Sequence, residues 1–331
     1  MSEKLPKISI CLPTYNNATT LPECLERIAS QNYPKNLIEI LVIDGGSSDE
    51  TLNICREYTD LIFENPFRVE EKGRVIGIEH AKGDVVGFVD ADNFLEGKDF
   101  FRKISKPFME NPEVVFVQPR FYTTSKGDDL ITRYIAAIGG DDPLSYYLGV
   151  YDHHSYINGK WSGSTVMAIA KERQYTLYSL KNIQDMPPFG ANGCFISRSC
   201  LDKVKHDPFL HTDVVFRLLK QKNLFAIAEA GLKHKQNGSV RGFLMKKLRR
   251  ASRNYDELER EFFFHLRKRN LLLFFLCCIF IIPLVIDSIR GFIRRPGSVW
   301  FWHPIITELT FLTYIYGVAK RRWQSISKSS S

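Results

Sequence analysis

Short apolar runs separated by polar, turn-rich stretches fill the first two thirds of the chain. Ile8-Ser9-Ile10-Cys11-Leu12-Pro13-Thr14-Tyr15-Asn16 reads as a buried strand running into a turn stopped by Pro13. Thr20-Leu21-Pro22-Glu23 reads as a helix start, with Thr20 at the N-cap and Pro22 in the first turn. Residues 39–43 form a second strand that ends in Asp44-Gly45-Gly46-Ser47-Ser48-Asp49-Glu50. There Ser48 is placed to cap the next helix, with Asp49 and Glu50 in its positive first turn. Further strands are expected over 85–89, 114–118 and 225–229, and a helix over 214–220, capped by Asp213. Strands alternating with helices predict an α/β fold over residues 1–236, with a mixed, mainly parallel sheet flanked by helices.

The last third is patterned differently. Residues 237–269 are amphipathic and basic, and Asp256, Glu257, Glu259 and Glu261 oppose Arg241, Lys246, Lys247, Arg249, Arg250, Arg253 and further cations. Residues 271–286 are uncharged and rich in Leu, Phe and Ile, and 299–318 is a second apolar stretch interrupted by Glu308. A length of 331 residues allows one large domain plus an appendage, and the net charge is +8. Nucleic acid is one partner for such a basic cluster, but no recognition module accompanies it. A basic patch beside apolar helices fits anionic lipid headgroups instead. The first apolar run covers only about 24 Å, against a hydrocarbon core of about 30 Å. Residues 270–331 are therefore expected to be two membrane helices, spanning or re-entrant. Trp300, Trp302 and Trp323 suit the headgroup layer, and the connector carries Arg290, Arg294 and Arg295, which a two-pass hairpin would put outside. Seven cysteines with no C-x-x-C pair read as reduced thiols facing a cytosol. Met1-Ser2-Glu3-Lys4 leads straight into the first strand, so no N-terminal signal is expected.

The richest chemistry lies in Val85-Val86-Gly87-Phe88-Val89-Asp90-Ala91-Asp92-Asn93. Positions i and i+2 share one face of a strand, so a loop at its end can aim Asp90 and Asp92 at one point. Paired carboxylates repel unless a cation sits between them, and a hard divalent ion, Mg or Mn, held with substrate phosphates is the usual solution. A solvated Asp-rich turn is the alternative. Asp44 lies at a strand's carboxyl end, where open α/β sheets bind ligands; it can accept bonds from a base or ribose, or simply form the turn.

These segments together resemble the family 2 glycosyltransferases. The resemblance is carried by Leu12-Pro13-Thr14-Tyr15-Asn16, Ile43-Asp44-Gly45-Gly46-Ser47-Ser48-Asp49, Glu79-His80-Ala81-Lys82-Gly83-Asp84 and Val89-Asp90-Ala91-Asp92. It covers roughly the first 120 residues in order and spacing. It implies a Rossmann-like GT-A fold and inverting transfer of a sugar from a nucleotide-diphosphate donor. It places Pro13, Thr14, Tyr15 and Asp44 by the nucleoside, and Asp90, Ala91 and Asp92 by the ribose, the metal and the diphosphate. Lys72 and Arg74, with Gly73 and Gly77, fall where the family has a loop near the donor, and Arg74 suits phosphate oxygens.

The resemblance loosens beyond residue 120, as expected for an acceptor-binding half. Phe189-Gly190-Ala191-Asn192-Gly193 resembles the segment bordering the donor sugar, which brings in Asn192 and Gly193. The family's Glu-Asp pair is missing from Phe209-Leu210-His211-Thr212-Asp213-Val214. Asp213 is the first choice of base and His211 the second. His234 follows a strand where the resemblance implies a metal or diphosphate contact; a structural histidine is the alternative. No Gln-x-x-Arg-Trp motif occurs near 248–253, which argues for single transfer; Arg250 and Arg253 are further candidates for a phosphate. Trp161 either stacks on a sugar or packs. The expected acceptor is lipid-linked, a polyprenyl phosphate or a lipid-borne glycan, at the cytoplasmic face of the cell membrane. Two rivals are an inactive nucleotide-sugar-binding scaffold and, on the basic run, a nucleic-acid-binding protein.

Overall fold

A computed structural model describes residues 4–163, 165–190, 192–236, 238–252, 260–262 and 268–329. Its strands are β1 (Ile8–Thr14), β2 (Ile38–Asp44), β3 (Ile62–Glu64), β4 (Val85–Phe88), β5 (Asn93–Leu95), β6 (Phe116–Tyr122), β7 (Val166–Lys171), β8 (Tyr175–Leu180), β9 (Cys194–Ser197) and β10 (Phe225–His234). Its helices are α1 (Leu21–Ala29), α2 (Thr51–Arg56), α3 (Glu70–His80), α4 (Phe100–Glu110), α5 (Leu130–Ile138), α6 (Pro143–Leu148), α7 (Arg198–Leu201), α8 (His211–Gln221), α9 (Val240–Ser252), α10 (Lys268–Phe280), α11 (Ile282–Arg294) and α12 (Val299–Ser329).

The chain divides into two compact units, residues 1–123 with 165–234, and residues 124–164 with 235–331. The expected 1–236 domain is thus interrupted, because 124–164 cluster with the C-terminal helices. The first unit holds one mixed sheet in the order β3-β2-β1-β4-β9-β6-β10-β8-β7, with β5 paired to β10. β3, β2, β1 and β4 run parallel, as does β6 with β10. The sheet is not mainly parallel, however: β9 lies antiparallel between β4 and β6, and β8, β7 and β5 are also antiparallel to their neighbours. β9 inserts between strands far from it in sequence and reverses direction, which no local pattern along 194–197 announces.

β1 is buried almost throughout, as a central strand covered on both faces should be. Helix α3 approaches it closely at Gly77, where an added Cβ would sit 2.8 Å from the Cys11 Sγ. Burial pushes the Cys11 thiol up to about 12, so it packs as an apolar residue rather than reacting as a thiolate.

Two expected caps are corrected. α2 begins at Thr51 after Glu50, so Ser48 is not its cap. α8 begins at His211 after Leu210, which makes Asp213 a first-turn residue rather than the cap. Thr20 does occupy the N-cap of α1, without a side-chain bond.

In the second unit, the apolar run expected over 271–286 is broken. α10 and α11 meet at 96°. Ile281 takes a left-handed φ of 57° at the break, and Pro283 in the first turn of α11 has no N–H to continue the ladder. Among the described residues no single helix is long and apolar enough to cross a membrane; only the bent α10–α11 pair passes that test together. The long α12 carries Glu308 within its apolar part and Lys320, Arg321 and Arg322 beyond it. Arg250 and Lys247 of α9, part of the basic stretch, are tied to Asp141. Arg253 lies outside the described residues. Trp161 is buried, which is the packing alternative.

Candidate functional site

The site is built at the carboxyl ends of β1, β2 and β4, where the strand order places neighbouring crossovers on opposite sides of β1. Parallel register sets Thr14 beside Asp44. The Thr14 hydroxyl donates to Asp44 Oδ1 at 3.1 Å. The Gly46 and Ser47 N–H groups donate to its Oδ2 at 2.9 and 2.8 Å. The Ser47 hydroxyl also donates to Oδ1. Asp44 is therefore buried and held as the organiser of its own turn. Pro13 precedes this pair in β1, and the ring of Tyr15 beyond it is more than half exposed.

Asp90-Ala91-Asp92-Asn93 is a turn between β4 and β5, closed by the Asn93 N–H donating to the Asp90 carbonyl at 2.9 Å. Strand alternation therefore does not govern the two carboxylates, and they take different partners. Asp90 pairs with Arg74, whose Nη2 lies 3.0 and 3.3 Å from the two carboxylate oxygens. Arg74 is only 4% exposed and also contacts Glu70 one turn earlier on α3. The segment expected as a loop near the donor is thus helix α3, and Arg74 is engaged by carboxylates rather than aimed at open space. Lys72 pairs with Asp207 at 2.5 Å.

Asp92 faces the other way. Its Oδ1 accepts from Asn93 Nδ2 at 2.7 Å, and its Oδ2 lies 3.6 Å from His234 Nε2. Antiparallel pairing of β5 with β10 brings His234 opposite Asn93. The Tyr122 ring, at the end of β6, lies 6.0 Å from the His234 ring. Tyr122 in turn accepts from Asn192 Nδ2 at 2.9 Å. Asn192 and Gly193 both adopt left-handed φ, 45° and 80°. Gly193 supplies that conformation without steric cost, and its N–H donates to the carbonyl of Phe88 at 3.0 Å. The Asn192–Gly193 corner is thereby fixed at the end of β4, just before Asp90. Ala91, between the carboxylates, is buried.

The first turn of α8 borders the same region. Phe209 packs on Phe88 with centroids 4.4 Å apart, and the Arg74 guanidinium lies 6.0 Å from the Phe209 ring. Gly190 abuts His211, its φ of 97° leaving no room for a side chain: an added Cβ would lie 2.9 Å from the His211 carbonyl oxygen. His211 is half-buried, whereas Asp213 is fully buried.

Sequence reasoning missed Glu70, Asn93, Tyr122 and Phe209. Asn93 was signalled by directly following Asp92; it is fully buried, and its Oδ1 lacks a hydrogen-bond partner. Tyr122 and Phe209 carry no motif, and only the fold brings them in. For a divalent ion, the carboxylate oxygen of Asp92 is a ligand that Mn²⁺ or Mg²⁺ takes, whereas the neighbouring imidazole nitrogen of His234 suits Mn²⁺ rather than the harder Mg²⁺. Among the described residues no group of three or more His, Cys, Asp or Glu side chains converges on a metal. The residues present therefore fit an ion completed by substrate oxygens and water rather than a closed protein cage.

Comparison with known proteins agrees with this architecture. Residues 9–138 match the model for glycosyl transferase family 2, most of them in the first unit. Glycosyltransferase AglE of Haloferax volcanii is 35% identical over 98 residues, 28% of this chain and 32% of that protein. Glycosyltransferase GlyA of Streptococcus pneumoniae serotype 4 is 29% identical over 169 residues, 50% of this chain and 23% of that protein. The chain spans less than half the length of these curated relatives. A crystal structure of GalNAc-T7 with UDP, GalNAc and Mn²⁺ superposes with a TM-score of 0.50 at 16% identity. It covers 72% of this chain and 45% of that one, and shows a GT-A-like fold.

Proposed function

We propose that the chain transfers a sugar from a nucleotide-diphosphate sugar to a lipid-linked acceptor, with inversion and a divalent cation, at the cytoplasmic face of the cell membrane, in cell-surface glycan or glycolipid synthesis. The observation that carries the donor part is the division of labour in the Asp90–Asp92 turn. Asp90 is neutralised by Arg74, which leaves Asp92 beside His234 as the ledge for Mn²⁺ or Mg²⁺. When bound, the ion would offset the charge that develops on the departing diphosphate.

The remaining roles follow from position. Asp44, Thr14, Pro13 and Tyr15 border the nucleoside, with the exposed Tyr15 ring available to stack on the base. The Asn192–Gly193 corner borders the donor sugar. As the acceptor oxygen attacks the anomeric carbon, its proton passes to a base and the nucleoside diphosphate leaves with the bonding pair. Burial reverses the order of candidates for that base. Asp213 is enclosed, while His211 keeps surface at the start of α8. An imidazole titrates in the working range without tuning. The lipid part rests on the exposed apolar residues of α10 and α11 and the adjacent cations.

The test is thermal stabilisation of the full chain in detergent against nucleotides and nucleotide sugars, with and without Mn²⁺ or Mg²⁺. A metal-dependent rise with one nucleotide class, lost in Asp92→Asn, is expected. Absence of any rise would overturn the donor assignment. A donor-dependent rise without turnover on any lipid acceptor would favour the second reading, an inactive nucleotide-sugar-binding scaffold, to which the enclosure of Asp213 also points.

A further inference from the structure

We propose that Arg133, Arg294 and Arg295 form a binding site for the phosphate of a lipid, whose hydrocarbon lies along the exposed stripe of α11. The inference rests on the lipid-acceptor reading and names the group of that lipid which the second unit holds.

The first observation is that α11 is inside out. Its buried positions are Leu284, Asp287 and Gly291, and Asp287 accepts from the Tyr147 hydroxyl at 3.0 Å. Gly291 lies under the Trp300 ring, where an added Cβ would come within 2.4 Å. Its outward stripe is apolar: Ile282, Val285, Ile286, Ile289 and Ile293 are all exposed. Spacings of three and four residues place them on one side of the helix. A helix of a protein surrounded by water turns its apolar stripe inward; one lying in a lipid interface turns it outward.

The second observation is the charge at the end of that stripe. Ile293 is 75% exposed, and Arg294 and Arg295 follow it directly. Arg294 Nη1 donates to the Ile157 carbonyl at 2.5 Å. Arg295 Nη2 donates to the Thr124 hydroxyl at 2.9 Å, and its guanidinium lies over the Tyr156 ring at 4.8 Å. Arg133, from α5, reaches the Ser298 hydroxyl at 3.4 Å, and its Nε is buried without a hydrogen-bond partner. Each arginine is oriented by neutral acceptors, and none of the three pairs with a carboxylate among the described residues. One turn earlier, Arg290 does have an acid, Asp287, at 3.1 Å. Arg294 and Arg295 both reach residues 156–157, and Arg133 reaches Ser298, three residues beyond Arg295, so the three cations lie toward one end of the stripe and favour an anion there. The planar guanidinium fork matches phosphate oxygens. A phosphate at one end of an apolar stripe is the chemistry of a phosphorylated lipid, and the positive charge excludes a purely apolar occupant.

The test is co-flotation of the full chain with vesicles of phosphatidylcholine, and of phosphatidylcholine doped with phosphatidic acid or a polyprenyl phosphate. Arg133→Gln/Arg294→Gln/Arg295→Gln should lose about tenfold in preference for the vesicles doped with the anionic phosphomonoester, and retain binding to the undoped, zwitterionic ones. Arg321→Gln/Arg322→Gln should keep the preference. Arg294→Gln alone, at the most exposed of the three positions, should lose part of it and guards against misfolding of the triple variant. Wild-type preference in the triple variant would overturn the site, as would an equal loss in the Arg321/Arg322 control. Displacement by soluble glycerol phosphate as effective as by lipid would overturn the lipid assignment and leave a free-phosphate site. The nucleotide-dependent thermal shift should be unchanged in every variant; its absence in the wild type would count against the donor reading and not against this one.

Discussion

Replacing Arg74 by Met keeps most of the side chain's length and removes its charge, which strands Asp90. At the observed 3.0 Å between Arg74 Nη2 and Asp90 Oδ1, a pair of unit charges attracts by about 5 kcal/mol at an effective dielectric of about 20. Desolvation offsets much of that, since Arg74 is almost wholly buried. Breaking a buried pair from one side typically costs about 3–5 kcal/mol. The Asp90 side chain keeps 27% of its surface, so some solvation remains, and a loss of about 2–3 kcal/mol is expected. Glu70 is half exposed and can turn to water. The assay is denaturant unfolding of the full chain, where the midpoint should fall with the slope unchanged. Arg74→Met/Asp90→Asn should recover at least half of the loss, because most of the penalty is the stranded carboxylate rather than a missing contact. A loss under about 0.5 kcal/mol in the single variant, or strict additivity in the double, would refute the reasoning. Donor affinity should fall in the same single variant, since an unneutralised Asp90 would repel the incoming diphosphate.

Three further outcomes are expected. His211→Gln should lower turnover by a factor of roughly 10² to 10⁴, while Asp213→Asn should chiefly lower the unfolding midpoint; near-wild-type turnover in His211→Gln would place the base elsewhere. Gly87→Ala in β4 would put a methyl 2.3 Å from the Phe195 ring, and overpacking should cost at least about 1–3 kcal/mol by denaturant titration; no loss would mean that β9 shifts freely. Burial pushes the Glu39 carboxyl upward, but bonds from Lys7, Ser9 and the Lys82 N–H outweigh it and hold the group below its ordinary value of 4.5. The stability this contributes is therefore present above pH 4.5 and lost as pH falls through the lowered value, so Glu39→Gln should show a flatter acid limb of stability against pH, and an unchanged limb would remove that role.

The strands of the parallel half were legible because their signals are local. Residues 8–14, 38–44 and 85–88 are short apolar runs followed closely by polar or turn-forming residues, and each is a strand close to its expected bounds. The same holds for the placement of Asp44, Asp90 and Asp92 at or just beyond strand carboxyl ends, which follows from strand direction. The carboxylates were legible as a pair but their partners were not. Arg74 is sixteen residues from Asp90 and His234 lies across β5–β10 pairing, and both neighbours depend on how distant segments fold back. The apolar run over 271–286 read as one helix because composition averages over Ile281 and Pro283, whereas the positive φ of Ile281 followed by Pro283 ends one helix and starts the next at 96° to it.

The sequence by itself determined the α/β class, the carboxyl-end location of the acidic turn and the contrast between an alternating first part and an apolar, basic last part. These depend on periodicity and residue type, which act over a few neighbours. Tertiary structure alone decided that Asp90 belongs to Arg74 and Asp92 to His234, that Asp213 is enclosed while His211 is not, and that residues 124–164 join the C-terminal helices. Those outcomes are set by which distant surfaces exclude water together, and burial of that kind is a property of the whole packed chain rather than of any stretch of it.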